Sequence, residues 1–103
     1  MHNLYIYLMR ISERERQVLV KAVQKIDRSA SVWLFGSRTD NSKRGGDIDI
    51  AVLSDKIHIK EKMQLKRAIY NELGEQKIDL VISVDGKEPF FRLATERGIR
   101  IDG

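Results

Sequence analysis

Val32-Trp33-Leu34-Phe35-Gly36-Ser37 and, nine residues further on, Asp47-Ile48-Asp49-Ile50-Ala51-Val52-Leu53 are the stretches whose reading decides the fold. The first is an apolar run too short for a helix and broken by glycine, so it reads as a buried strand, residues 32–35. The second alternates and then turns wholly apolar, so residues 47–53 read as a strand whose polar end faces the preceding loop. Between them, residues 37–46 carry Arg38, Asp40, Asn41, Lys43, Arg44 and two glycines, the composition of an exposed loop. Trp33 and Phe35 are expected to pack in the core rather than to stack on bases.

Upstream, Ser12 followed three residues later by Glu15 forms a capping box, and Val18, Leu19, Ala22, Val23 and Ile26 recur on one helical face. The pattern predicts an amphipathic helix over residues 12–28. Downstream, Ile59, Met63, Leu65, Ala68, Ile69 and Leu73 predict a second helical stripe over residues 59–73, stopped by Gly74. A third strand follows at residues 78–84, holding Asp79, with Asp85-Gly86 as its turn. A last helix is expected at residues 89–96, begun by Pro89 and stopped by Gly98, with Phe90 and Phe91 docking it and one of them available to a partner. Ile99-Arg100-Ile101 then closes the chain's apolar pattern.

Helices alternating with strands predict an α/β (α+β) fold: a small mixed sheet of three to four strands flanked by helices. At 103 residues this is one domain, residues 1–103, with room for one core. An apolar fraction of 42% and a charged fraction of 33% exclude a disordered chain. With no cysteine, a disulfide framework and a thiolate zinc site are excluded, and the cytoplasm is the expected compartment. The apolar patch Leu4 to Leu8 has neither the basic leader nor the cleavage site of a targeting signal, and no membrane association is expected. Residues 1–8 are read as an N-terminal extension, with Met9 as an alternative start.

Two aspartates at i and i+2 oppose the propensity of an otherwise Ile/Val/Leu-rich strand, a conflict that often marks a functional site. Alternation puts Asp47 and Asp49 on one face, where like charges repel unless a cation sits between them. Carboxylates without nearby histidine or cysteine select a hard cation such as Mg²⁺, held jointly with substrate phosphates. The structural alternative makes Asp47 a loop cap and Asp49 a residue of a solvated sheet face. Gly36 allows close backbone approach, the Ser37 hydroxyl and adjacent amides suit phosphate oxygens, and Arg38 offers a charged fork. His2 and His58 read as surface residues, and Lys43 and Arg44 as solvated.

Phe35-Gly36-Ser37 followed by Asp47-Ile48-Asp49-Ile50 resembles the signature of the DNA polymerase β-type nucleotidyltransferase superfamily, and Asp79 in Lys77-Ile78-Asp79-Leu80-Val81 matches its third carboxylate. Within it, the small size, Gly36-Ser37-Arg38 and Arg97-Gly98-Ile99 are most similar to the MNT class of minimal nucleotidyltransferases, over about residues 12–101. The resemblance implies catalysis by Asp47, Asp49 and Asp79, holding two Mg²⁺ ions, with Gly36, Ser37 and Arg38 binding the triphosphate of ATP. It also implies a HEPN-type helical partner, often an RNase toxin, with this chain as an adenylylating antitoxin in a hetero-oligomer.

Two rival classes remain from the residues themselves. A catalytically silent binding module would block its partner by complex formation alone, and would have no need of three aspartates. A nucleic-acid-binding protein would use Lys56, Lys60, Lys62, Lys66 and Arg67; such a face is more often simply solvated, and the net charge of +4 is modest.

Overall fold

The computed structural model describes residues 11–36 and 48–103. The expected residue 1–8 extension, Ser37, Arg38 and Asp47 lie outside the described residues.

Helix α1 spans Glu13–Ile26. Its capping box forms as read: the Glu15 amide donates to Ser12 Oγ at 3.0 Å and the Ser12 amide donates to Glu15 Oε1 at 2.7 Å. Strand β1 is Ser31–Phe35, β2 is Ile48–Leu53, and helix α2 is Ile59–Leu73. Strand β3 is Ile78–Ser83, helix α3 is Pro89–Arg97, and β4 is the short Ile99–Arg100. The sheet order is β3-β2-β1-β4. Strands β2 and β3 run parallel, joined by α2 as a crossover, whereas β1 is antiparallel to both β2 and β4. The fold is therefore α+β with a mixed four-stranded sheet, at the upper end of the expected strand count.

Strand alternation divides the apolar residues between two faces. Val32, Leu34, Ile48, Ile50, Val52, Ile78 and Leu80 pack with Leu19 and Val23 of α1 and Leu65 and Ile69 of α2 in the larger core. On the opposite face α3 brings Phe91 and Ala94 onto Ala51, with Trp33, Phe35, Leu53 and Val81 around them. Trp33 meets Phe91 edge to face at 5.8 Å, and Phe35 meets Phe90 at 6.0 Å. Phe91 is buried and Phe90 exposed, so the two adjacent phenylalanines divide docking and display between them.

The α2 stripe differs from the reading. Leu65 and Ile69 are buried, but Ile59 and Met63 are 81% and 65% exposed and Ala68 is exposed. The six positions span too wide an arc for one buried face, and only the side over the sheet is covered.

Buried polar side chains fasten the ends of the sheet. Asp27, 4% exposed, accepts from Ser54 Oγ at 2.6 Å and from the Ser29 amide at 3.0 Å, which ties the end of α1 to the end of β2. The Ser54 hydrogen bond holds the Asp27 carboxyl below its ordinary range despite burial, with the Ser29 amide and Lys56 assisting. At the other edge Asp102 accepts from the Val32 amide at 2.7 Å and from Arg100 Nε at 2.9 Å, and Arg100 lies 5.7 Å from the Trp33 ring centre.

Candidate functional site

The site lies at one end of the sheet, on the face that carries α3. In the register Phe35 opposes Asp49, and Asp49 stands directly beside Asp79 on the neighbouring parallel strand. Adjacent strands are about 4.8 Å apart, and Asp49 and Asp79 share parity with Ala51 and Val81 on the α3 face. Both aspartates are half-buried. Two carboxylates side by side on one sheet face repel, so this arrangement calls for a cation or strong donors over it.

Gly36, which follows β1, closes the site from the third side. Its φ of +77° is a conformation that L side chains rarely adopt. A Cβ built on it would collide with Asp49 Oδ2. The Asp49 carboxylate thus occupies the space that any side chain at residue 36 would fill, which is a specific reason for glycine there. Asp79 joins the ladder through its backbone, and its side chain makes no hydrogen bond or ion pair among the described residues. A half-buried carboxylate in a strand with no structural partner remains available to a ligand.

Helix α3 supplies the wall beside Gly36. Phe35, Gly36, Phe90, Leu93, Ala94 and Arg97 border a cavity of about 200 Å³. Ser83 aims this helix at its N-terminal end: its hydroxyl donates to the Glu88 carboxylate and accepts from the Gly86 amide at 2.7 Å. At the other end Gly98 permits close contact, since a Cβ there would meet Leu34 O at 2.7 Å and Ala94 O at 2.6 Å. From the sequence Gly98 reads as a helix stop and as part of the Arg97-Gly98-Ile99 pattern. Its second role, letting the end of α3 sit on β1, depends on a contact across the sheet that local sequence does not carry.

Of the residues expected at the site, the structure brings together Gly36, Asp49 and Asp79. Ser37, Arg38 and Asp47 adjoin Gly36 and Asp49 in sequence and lie outside the described residues. Among the described residues no group of three metal-ligating side chains occurs. The donor chemistry of the described pair nonetheless fits a hard divalent cation, because both groups are carboxylates on one face. Larger concavities, of about 710 and 490 Å³, lie on the opposite, helical side of the sheet, away from these carboxylates. No helix among the described residues is long and apolar enough to cross a membrane.

Comparison with known proteins gives one family. The family model described as "Polymerase beta, Nucleotidyltransferase" matches residues 17–101, which contain β1, β2, β3 and α3 entire. Among curated proteins no sequence matches the chain significantly.

Proposed function

The chain belongs to the polymerase beta nucleotidyltransferase family, and we propose from that membership that it moves AMP from ATP to a hydroxyl on a partner protein. The observation that carries the reading is the register pairing Asp49 with Asp79 where the bare α-carbon of Gly36 meets the Asp49 carboxylate.

Asp49 and Asp79, with Asp47 completing the set, would hold two Mg²⁺ ions. Bound there, the ions would supply charge neutralisation for the triphosphate and a lowered pKa for the attacking hydroxyl. The absence of a side chain at Gly36 would let the β- and γ-phosphates approach, with Ser37 and Arg38 as donors to their oxygens. The acceptor oxygen attacks the α-phosphorus in line, the bond to the bridging oxygen breaks, and pyrophosphate leaves. The acceptor's proton passes to a carboxylate oxygen of Asp79, which has no competing partner among the described residues.

The partner in this reading is a HEPN-type helical RNase toxin, and the chain is its cytoplasmic antitoxin in a hetero-oligomer. Support for that partnership comes from the MNT-like pattern Gly36-Ser37-Arg38 and Arg97-Gly98-Ile99. With α-labelled ATP, Mg²⁺ and the co-purified partner, label should appear covalently on the partner. Asp79→Asn should lower that labelling at least about 100-fold. Unchanged labelling in the variant would rule out the three-carboxylate mechanism, and inhibition of the partner surviving Asp47→Asn would favour the silent binding module.

A further inference from the structure

Helix α3 leaves two large apolar side chains in solvent beside the carboxylate site. Phe90 is 57% and Leu93 47% exposed, whereas Phe91 and Ala94 of the same helix are buried. Residues 90, 93 and 97 follow at helical spacing and form one flank of α3. That flank borders the cavity of about 200 Å³ together with Phe35, Gly36 and Ala94. The cavity adjoins the carboxylates at Gly36, which lines it and on which a Cβ would collide with Asp49 Oδ2. Of the lining side chains only that of Arg97 carries polar atoms. An edge-to-face contact with Phe35, ring centres 6.0 Å apart, steadies the Phe90 ring at its exposed position. Packing within the chain therefore places this ring without covering it.

We infer that this cavity holds the base of the donor nucleotide, with Phe90 stacking on the ring and Leu93 and Ala94 as its apolar wall, and that it favours a purine over a pyrimidine. The inference rests on the nucleotidyltransferase reading, which brings to Gly36 a molecule with a triphosphate at one end and a heterocyclic ring at the other. The cavity is smaller than the roughly 300–1,000 Å³ of pockets that enclose a drug-sized ligand, so it suits one ring system rather than a whole nucleotide. Stacking and apolar burial both grow with ring area, whereas apolar walls carry no donor and acceptor pattern to read a base edge. Sorting is then by ring size, two-ring bases over one-ring bases, with adenine and guanine close to each other. Arg97 adds a cation beside a polyanionic ligand. The competing occupant is an apolar side chain of the partner protein, which would make Phe90 matter for complex formation rather than for nucleotide affinity.

The test is titration calorimetry on the intact chain in Mg²⁺ with ATP, GTP, UTP and inorganic tripolyphosphate, which keeps the phosphates and lacks the base. Phe90→Ala should weaken ATP binding about tenfold and leave tripolyphosphate binding within about twofold. Leu93→Ala, which breaks no ring contact, should weaken ATP binding about threefold and serves where Phe90→Ala fails to fold. ATP and GTP should bind within about threefold of each other and UTP about tenfold more weakly, a gap that narrows in Phe90→Ala. The triphosphate of 2-aminopurine riboside should lose fluorescence on the wild-type chain and keep it on Phe90→Ala. ATP binding unmoved by both variants, equal weakening of ATP and tripolyphosphate, or UTP binding as tight as that of ATP would overturn the inference. So would release of the partner protein by Phe90→Ala with ATP binding unchanged, which would assign the cavity to the partner. Failure of the wild type to bind either ATP or tripolyphosphate would refute the nucleotidyltransferase reading itself, and the base site with it.

Discussion

Replacing Gly36 with alanine tests the geometry of the site separately from its chemistry. The left-handed conformation at φ +77° costs a residue with a Cβ about 1–2 kcal/mol. The new methyl group would also collide with Asp49 Oδ2 and force strand or carboxylate to shift, an overpacking cost of about 1–3 kcal/mol. Gly36→Ala should therefore destabilise by about 2–5 kcal/mol in urea unfolding. In an Asp49→Ala background the obstructing carboxylate is gone and only the conformational cost of about 1–2 kcal/mol remains. The double-mutant cycle should then show a coupling of about 1–3 kcal/mol between residues 36 and 49. Effects that add to within about 0.5 kcal/mol would refute the claim that the Asp49 carboxylate fills the space a residue-36 side chain needs.

Other perturbations reach the rest of the framework. Gly98→Ala should lower stability by about 1–3 kcal/mol in thermal melts, through contact with Leu34 O and Ala94 O rather than through backbone strain. Ser54→Ala removes the main donor to buried Asp27 and should cost about 1.5–3 kcal/mol at neutral pH. Because the Asp27 carboxyl is depressed in the folded state, its contribution is fully present above the unfolded value of 3.8 and is lost as pH falls through the lower folded value. Urea titrations between pH 5 and 2 should show that acid loss in the wild type and a shallower one in Asp27→Asn. Asp79→Asn removes one of two adjacent carboxylates and should raise stability by about 0.2–1 kcal/mol in metal-free buffer, even as it removes function.

Elements whose signals are local were legible. The Ser12/Glu15 capping box fixes the start of α1, Gly74 closes α2, and the glycine after Phe35 ends β1. Asp49 stood out by opposing strand propensity and Asp79 by its match to the family's third carboxylate, and the parallel register sets them side by side. What could not be read depends on contacts distant in sequence. Asp27 and Ser54 are ordinary polar residues until the ends of α1 and β2 meet, and Asp102 finds the Val32 amide only once β4 joins the sheet. The outward display of Ile59 and Met63 was missed for the same reason: periodicity marks the apolar positions of α2, whereas the sheet decides which of them it covers.

Titration calorimetry with ATP and Mn²⁺ or Mg²⁺ tests, without needing an acceptor, whether Asp49 and Asp79 form a carboxylate site for a metal-bound nucleotide. The wild-type chain should bind ATP only with the divalent cation present, and Asp79→Asn, folded and no less stable, should lose that binding. Equal cation-dependent binding by the wild type and the variant, or wild-type binding unaffected by chelation, would contradict it.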